Sequence, residues 1–265
     1  MRHTANLFDL REIAALVETV RPTHVLHLAW VTTPGDFWQS HENLNWVAAS
    51  LNLLQAFAQA GGRRAVFAGT CAEYDWTTGS GLCCEQTTPL NPRGLYGECK
   101  NAVRAIAERY AQQTVVSFAL GRIFSPYGPG EHAKKLVASA IRSMLAGEPT
   151  DCTSGAQVRD YLYVEDAAEA FVQLLLSDFC GSINIASGEP IQVAALVRTI
   201  GQIVGRSDLV RLGNRPPNAD EPPFLVADVK RLRNEIGWRP SYDLPSGLSR
   251  TVDSYKEGRS AELNA

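Results

Sequence analysis

Two hydrophobic patterns alternate along the chain: short runs that are almost wholly apolar, and longer segments whose apolar residues recur every three or four positions. The short runs are typical of parallel strands buried on both faces, and the longer segments of helices with one buried face. Strands and helices that alternate in this way form a parallel sheet flanked by helices, so the pattern predicts an α/β fold. Helices are predicted at 11–20, 41–60, 96–112, 134–146 and 164–176, and strands at 25–31, 65–69, 115–120 and 182–186.

The longest predicted helix, at 41–60, is followed directly by Gly61 and Gly62, which is typical of a helix C-terminus. Trp46 lies on this helix, and we expect it to pack in the core rather than against a ligand. One face of the helix is predicted to be buried, because side chains three and four positions apart lie on the same side. That face comprises Leu44, Val47, Leu51, Leu54 and Ala58.

The composition is that of a globular protein, with 45% hydrophobic and 20% charged residues among 265. A chain of this length accommodates one large domain, or a main domain with a smaller lobe. Its 25 basic and 28 acidic side chains nearly balance and form no basic run, which argues against nucleic-acid and membrane partners. The sequence has neither an apolar stretch of membrane-spanning length nor a secretion signal, so we expect a cytoplasmic protein.

The six cysteines show neither Cys-x-x-Cys spacing nor an accompanying histidine cluster. Disulfides are rare in proteins of reducing compartments, and zinc sites usually show such paired spacing. We therefore expect reduced, structural thiols and no metal site.

Tyr96 and Lys100 are the strongest candidates for chemistry, because residues four positions apart share one face of a helix. A neighbouring ammonium favours the phenolate and lowers the pKa of a tyrosine, which suits the acid or base of hydride transfer to or from an alcohol. Thr70 directly follows a predicted strand, and ligands bind at the carboxyl ends of parallel strands. We expect its hydroxyl to orient a substrate oxygen. By itself, however, the spacing also fits an exposed pair on an ordinary helix.

Six segments of the sequence occur in a particular order along the chain. Two of them contain the candidates Thr70, Tyr96 and Lys100, and the others are strand ends or loops on either side. They are 25–30 (VLHLAW), 66–70 (VFAGT) with Glu73-Tyr74, 89–100 with its Tyr-x-x-x-Lys, 121–130 (GRIFSPYGPG), 159–166 (RDYLYVED), and the region from Asp228 with 236–240 (IGWRP) and 246–248 (SGL).

In this order the segments resemble the extended short-chain dehydrogenase/reductases, specifically the NAD-dependent epimerase/dehydratase family that acts on nucleotide sugars. The resemblance implies a Rossmann-type sheet, NAD or NADP as cofactor, a nucleotide-sugar substrate, and a catalytic triad of Thr70, Tyr96 and Lys100. The cofactor-binding residues that it implies are Asn6, Leu7, Leu28, Ala29, Trp30, Tyr96, Lys100 and Ile123. The substrate-binding residues that it implies are Cys71, Ser125, Arg159 and Arg215.

The residues after Thr70 narrow the implied reaction. In the 4,6-dehydratases of this family an Asp-Glu pair follows the threonine, whereas Cys71 and Ala72 stand here, which disfavours dehydration. A reductase of 4-keto-6-deoxy sugars or a 4-epimerase remains, and both transfer hydride at C4. Glu73 and Asp75 flank the site; either could serve as an acid, but solvated loop carboxylates are the commoner case and are expected here. A non-catalytic homologue that acts as a binding or assembly partner stays open as the competing class.

The resemblance also implies that the first strand of the family and its Gly-x-x-Gly-x-x-Gly turn are absent, so that the Rossmann-type sheet is N-terminally truncated. We expect strand 25–31 to be an exposed edge, and dinucleotide binding to be weak unless a partner covers that edge. The family commonly forms homodimers through the helices that correspond to 41–60 and 96–112. Residues 1–124 with 156–188 are expected to form the dinucleotide-binding domain, and 125–155 with 189–265 a smaller C-terminal substrate-binding lobe.

Overall fold

A computed structural model describes residues 1–77, 81–217 and 221–263 and confirms the α/β class. Two short 3₁₀ turns, Cys71–Glu73 and Ser207–Leu209, join the regular elements. The helices are α1 (Leu10–Val20), α2 (Glu42–Gln59), α3 (Gly94–Ala111), α4 (Leu136–Ala146), α5 (Val164–Leu176), α6 (Val193–Val204), α7 (Lys230–Glu235) and α8 (Leu244–Leu263). The strands are β1 (His24–His27), β2 (Arg64–Thr70), β3 (Leu82–Cys83), β4 (Ser117–Ile123), β5 (Ser125–Tyr127), β6 (Thr150–Asp151), β7 (Val158–Tyr163), β8 (Gly181–Ile185), β9 (Pro190–Gln192), β10 (Val210–Arg211) and β11 (Phe224–Ala227).

The main sheet of the described residues has four parallel strands in the order β1-β2-β4-β8. Its register aligns Thr70 with Ile123, and Ile123 with Ile185, so these strands end together at one edge. Strand β1 pairs with β2 on one side and is the edge strand of the described sheet. The carboxyl edge of β2 and β4 is therefore the surface on which the candidate residues meet.

A second parallel sheet, in the order β3-β11-β7-β5, lies beyond β8, and β9 pairs antiparallel with β7. A core cluster joins the two sheets, because apolar residues of β11 and α7 pack with those of β2, β4, α5 and β8. Another cluster joins α4, α6, α8 and the strand-end tyrosines Tyr127 and Tyr163. Residues 225–238 thus share the first core, and the division into two domains stays a prediction. No helix in the described parts of the chain is long and apolar enough to cross a bilayer.

All five predicted helices begin and end within two residues of their predicted bounds, and α5 has the predicted bounds, 164–176. Strand β1 ends at His27 rather than at 31, since residues 28–31 leave the sheet. Strand β4 runs to Ile123 rather than to 120, because its pairing with β8 continues to that residue.

The predicted face of α2 is partly wrong, because Leu44 is exposed and Asn43 and Ser50 are fully buried. The reason is hydrogen bonding: Asn43 accepts from Nε1 of Trp30 at 2.8 Å, and the Ser50 hydroxyl lies 2.8 Å from Nε2 of His27. These polar side chains turn inward with their partners and rotate the helix away from the face that apolar spacing indicated. Trp46 is half-buried and packs against Phe8 and Trp30, with ring centroids 4.8 and 6.0 Å away.

Candidate active site

Thr70 ends β2 at the carboxyl edge of the main sheet and is 6% exposed. Its side-chain oxygen accepts a hydrogen bond from the Ala72 N–H at 3.2 Å, and its own N–H donates to Oε1 of Glu73 at 2.9 Å. These reciprocal bonds form a capping box over the 3₁₀ turn Cys71–Glu73. The turn fixes the threonine hydroxyl at the end of the strand, where the sequence predicted it.

Tyr96 lies in the first turn of α3 and is buried beside Thr70. Burial raises the pKa of its phenol, and a hydrogen bond with the Thr70 side chain opposes that rise. Its backbone N–H donates to the Trp38 carbonyl at 3.1 Å. A Cβ atom at Gly97 would lie 2.7 Å from the Ala72 carbonyl oxygen, so glycine lets the start of α3 approach the turn after β2. The two hydroxyls are thereby brought together.

Lys100 follows Tyr96 by one helical turn and is 5% exposed. Its Nζ donates to the Ala68 carbonyl oxygen at 2.8 Å and lies 3.9 Å from the centre of the Trp30 ring. Burial lowers the pKa of Lys100 to about 7, against the opposing charge of Glu73. An ammonium carries three N–H donors, so after the bond to Ala68 this group retains donors for the hydroxyls of a ligand.

Beneath these residues lies a buried charge network that the sequence analysis missed. Glu73 is fully buried, and its Oε2 accepts from Nε of Arg122 at 2.8 Å. The Arg122 guanidinium stacks on the Tyr74 ring, 4.8 Å from its centre, and Tyr74 donates to Oδ1 of Asn184 at 2.7 Å. Arg104 of α3 lies 3.9 Å from the same carboxylate oxygen. The network connects the end of β2 to β4, α3 and β8.

The expectation that Glu73 and Asp75 are solvated loop carboxylates is wrong, since both are buried. Asp75 accepts from the N–H and the hydroxyl of Thr77 at 2.7 and 2.6 Å and from the Asn91 amide at 3.2 Å, and these bonds lower its pKa. For Glu73 a signal was present in the sequence, because Thr-x-x-Glu from Thr70 is a capping-box pattern.

Aromatic side chains surround Tyr96. The rings of Phe37 and Trp38 meet its ring edge-on, with centroids 4.8 and 5.6 Å away, and Trp76 meets Trp38 edge-on at 6.0 Å. The Trp76 indole N–H donates to the Cys71 carbonyl at 3.0 Å, which fixes this ring beside the turn after Thr70. Aromatic rings therefore lie directly next to the phenol of Tyr96.

Of the residues that the resemblance assigns to the cofactor, three lie at strand ends of the main sheet. Leu28 and Ala29 follow β1 and are exposed, while Ile123 ends β4 beside Thr70. Asn6 is exposed, its Oδ1 accepting from the Phe8 N–H at 3.0 Å. Leu7 packs in a small cluster with residues of α1 and α2. The exposed Leu28 and Ala29, and the donors that Lys100 retains after its bond to Ala68, fit a dinucleotide cofactor.

The residues assigned to the substrate are held differently. Arg159 of β7 is buried, and its guanidinium donates to Oε1 of Glu221 at 2.6 Å and to the Val158 carbonyl at 2.7 Å. Ser125 begins β5 and is half-buried, whereas Arg215 is exposed. These three side chains lie outside the main sheet, and none of them forms a hydrogen bond with Thr70 or Tyr96.

All six cysteines are free thiols. Burial raises the pKa of the Cys71 thiol to about 12, so this group remains a thiol at neutral pH. No cluster of three or more histidine, cysteine, aspartate or glutamate side chains suited to a metal ion occurs within 1–77, 81–217 and 221–263.

Comparison with known proteins gives a consistent match. The profile of the NAD dependent epimerase/dehydratase family matches residues 1–186. UDP-glucuronic acid decarboxylase 1 of Xenopus tropicalis is 27% identical over 179 residues, which are 66% of this chain and 42% of that protein. The matched segment thus spans less than half of that relative's length.

Two further similarities extend over more of the chain. UDP-glucose 4-epimerase of Azospirillum brasilense is 29% identical over 249 residues, covering 85% of this chain and 68% of that protein. The crystal structure of Thermus thermophilus UDP-glucose 4-epimerase in complex with NAD superimposes with a TM-score of 0.80 at 26% identity, covering 95% of this chain and 83% of that one.

Proposed function

The chain belongs to the NAD-dependent epimerase/dehydratase family, and from this premise we propose that it catalyses hydride transfer at C4 of a nucleotide-linked hexose. The observation that carries the proposal is the buried cluster of Thr70, Tyr96 and Lys100 at the carboxyl edge of β2. Two bonded hydroxyls and an amine one turn away can hold one substrate oxygen and exchange a single proton with it. Oxidation of an alcohol and reduction of a ketone both require that exchange.

In this mechanism a bound nicotinamide supplies the acceptor or donor of hydride. The Thr70 hydroxyl orients the C4 oxygen of the sugar. The Tyr96 oxygen takes the proton of the C4 hydroxyl as hydride leaves C4, or returns the proton when the ketone is reduced. Lys100 in its ammonium form stabilises the phenolate, which accepts the proton during oxidation and remains after the proton is donated during reduction. Because the pKa of Lys100 is about 7, its charge changes in the neutral range and makes turnover depend on pH.

The residues proposed to hold NAD or NADP are Asn6 and Leu7 at the adenine end, Leu28, Ala29 and Trp30 after β1, and Ile123 at the end of β4. The remaining donors of Lys100 would bind the ribose hydroxyls of the cofactor, and Tyr96 would contact the nicotinamide. These contacts involve parts that NAD and NADP share, so the proposal covers both cofactors.

We assign the nucleotide diphosphate to the substrate-side residues Ser125, Arg159 and Arg215, because planar guanidinium groups suit phosphate oxygens. Cys71 lies next to Thr70 and is proposed to contact the sugar as a thiol. In the corresponding division of the chain, residues 1–124 with 156–188 form the cofactor-binding domain, and residues 125–155 with 189–265 form the substrate-binding lobe.

Two reactions use the same proton exchange: reduction of a 4-keto-6-deoxy sugar and epimerisation at C4. Epimerisation is favoured by one observation, since the relative named a 4-epimerase matches 85% of the chain. Reduction fits the aromatic surroundings of Tyr96, which suit a sugar with few polar groups near C4 to C6. Dehydration is disfavoured, because Cys71 and Ala72 provide no carboxylate pair after Thr70.

We also propose a homodimer through α2 and α3. These helices pack side by side, and each carries an exposed apolar residue, Leu44 on α2 and Ile106 on α3. A shared interface would cover both, as exposed apolar surface often marks a subunit contact.

The test begins with calorimetric titration of the purified chain with NAD⁺, NADH, NADP⁺ and NADPH, followed by incubation with the preferred cofactor and nucleotide sugars. The panel contains UDP-glucose, UDP-galactose and a dTDP-4-keto-6-deoxyhexose, and products are identified by NMR. Interconversion of the UDP-sugars indicates the epimerase, and consumption of reduced cofactor with the keto sugar indicates the reductase.

Binding of nucleotide sugar without any cofactor binding, in a chain shown to be folded, would overturn the proposal in favour of a non-catalytic binding protein. Tight cofactor binding by a monomer would contradict only the expectation of weak dinucleotide affinity.

A further inference from the structure

Glu73 is a fully buried carboxylate to which the proposed mechanism gives no part. It lies directly under the candidate cluster, and both of its oxygens are engaged: Oε1 accepts from the Thr70 N–H at 2.9 Å and Oε2 from Nε of Arg122 at 2.8 Å. Such a group is costly to bury unless it is paired and hydrogen-bonded, and here it has both kinds of partner. The question is what this charge does at this place.

Its first effect is on the backbone of Thr70. The bond from the Thr70 N–H closes the capping box, so the end of β2 and the following turn are fixed by the carboxylate. The fit is tight, because a Cβ atom at Gly69 would lie 2.5 Å from Oε1 of Glu73. The carboxylate thus lies against the end of the strand from which the Thr70 hydroxyl projects.

Its second effect is electrostatic. The charge of Glu73 raises the pKa of Lys100 against the larger effect of burial, and it adds to the effect of burial in raising the pKa of Tyr96. It also acts on the Cys71 thiol. The groups that face Glu73 from the packed elements are Arg122 of β4, Arg104 of α3 and the neighbouring Tyr74. Lys100 also faces His27 of β1, and burial together with the charge of Lys100 lowers the pKa of His27 to about 4.

We propose that Glu73 is a positioning residue of the Thr70, Tyr96 and Lys100 cluster, which fixes the strand end and supplies the buried negative charge that the phenol and the amine face. This inference rests on the proposed function of the cluster. A merely structural role would consist of pairing Arg122 and capping the turn. Such a role would affect stability and the amount of active protein, but not the pH at which the catalytic groups titrate.

The experiment measures the titration of Lys100 by NMR, with the lysine amines isotopically labelled and the signal assigned with Lys100→Met, in Glu73→Gln and in wild type. Removal of a negative charge favours the neutral amine, so the midpoint should fall by about one pH unit, at the lower end of the shifts that one nearby charge produces. Where turnover has been found, the pH profile of kcat should move in the same direction, because Tyr96 faces the same charge.

A second variant, which should shift the Lys100 midpoint in the opposite direction, keeps the inference testable if Glu73→Gln fails to fold. Arg104→Gln removes a cation 3.9 Å from Glu73 on a partly exposed helix, so the net field becomes more negative and the midpoint of Lys100 should rise. Glu73→Asp retains the charge but shortens the side chain, and should lower kcat while leaving the midpoint near that of wild type. Glu108→Gln is the matched control, because it also removes a carboxylate that pairs with Arg104, at 2.6 Å, but one that does not touch Thr70. The Lys100 midpoint should therefore change much less in Glu108→Gln than in Glu73→Gln.

An unchanged Lys100 midpoint in a folded Glu73→Gln protein, or shifts of the same sign in Glu73→Gln and Arg104→Gln, would overturn the inference. The titration needs no substrate, so it remains decisive even if no nucleotide sugar is turned over. Absence of turnover in wild type together with the expected midpoint shifts would refute the proposed function and leave the electrostatic role of Glu73 standing.

Discussion

The two ends of the candidate site are built in contrasting ways. At the carboxyl edge of β2, Thr70, Tyr96 and Lys100 are each less than one-tenth exposed and are tied to backbone atoms or to each other. On the substrate side, Arg159 is held by a salt bridge to Glu221, a partly exposed residue, and Arg215 is exposed. The first end is fixed by buried contacts, whereas at the other Arg159 would exchange its contact with Glu221 if it binds the proposed diphosphate.

This difference suits the separate tasks proposed for the two ends. Proton exchange requires donor and acceptor atoms within a fraction of an ångström of their reacting positions, and fixed groups lose little freedom when the reaction occurs. Recognition of a diphosphate tolerates movement, since a guanidinium that leaves one carboxylate can bind another anion of similar geometry. The predictions below test whether the fixed end carries the chemistry and the exchangeable end carries only affinity.

The largest expected effect is that of Tyr96→Phe on turnover. Removal of the phenolic hydroxyl removes the proton donor and acceptor, so kcat should fall by a factor of about 10²–10⁴ with little change in KM. Discontinuous assays of nucleotide-sugar conversion measure kcat and KM for the variant and the wild type. Tyr110→Phe, on the same helix α3, is the matched control and should retain wild-type turnover. Loss of activity in the control to the same extent would mean that the helix, and not the phenol, was perturbed.

The second effect concerns stability. Arg122→Met leaves the buried Glu73 carboxylate without its closest cation, and breaking one partner of a buried pair costs about 3–5 kcal/mol. Urea unfolding followed by circular dichroism should therefore show a much lower midpoint. Arg104→Met, which removes a more distant and more exposed cation, should cost far less. Equal losses in the two variants would indicate that the fixed end does not depend on the Glu73–Arg122 pair.

The sequence predicted the parts of this site that depend on local spacing. Tyr96 and Lys100 are four positions apart on one helix, and Thr70 ends an apolar run, so their approach follows from the α/β fold alone. The bounds of α5 followed from periodicity in the same way. The capping role of Glu73 has a local signal, but its pairing with Arg122 could not be foreseen, because the two residues are 49 positions apart and only strand pairing brings them together. A charged residue in a predicted loop looks solvated until its partner is known.

Polar residues on α2 show the same limit on the scale of a helix. Asn43 and Ser50 face inward because Trp30 and His27 provide hydrogen bonds, and no hydrophobic scale ranks these residues as buried. The exposed Leu44 was predicted to be in the core for the same reason, since spacing alone does not reveal which face has partners. Roles that came from resemblance, such as those of Arg159 and Arg215, stay predictions.

A third prediction links the fixed end to stability at different pH values. The pKa of Lys100 is lowered from 10.5 to about 7 in the folded chain, so between these values the unfolded state binds more protons. The free energy of unfolding should therefore rise with pH across this window through this group. Lys100→Met should abolish that rise, increase stability at neutral pH and remove turnover. Urea titrations at several pH values measure the free energy of unfolding. Lys230→Met, which replaces an exposed lysine, is the control.

The smallest effects are expected at the exchangeable end, where two variants should act in opposite directions. Arg159→Ala removes a charged donor to the diphosphate and should raise the dissociation constant for nucleotide diphosphate by about tenfold, since hydrogen bonds to charged groups contribute about 1.5–3 kcal/mol. Glu221→Gln removes the anion that competes for the same guanidinium, so binding should tighten a few-fold. Calorimetry with UDP measures both. Because neither residue touches Tyr96 or Thr70 in the structure, kcat should change little in either variant. A large loss of kcat with unchanged affinity in Arg159→Ala would erase the distinction between the two ends of the site.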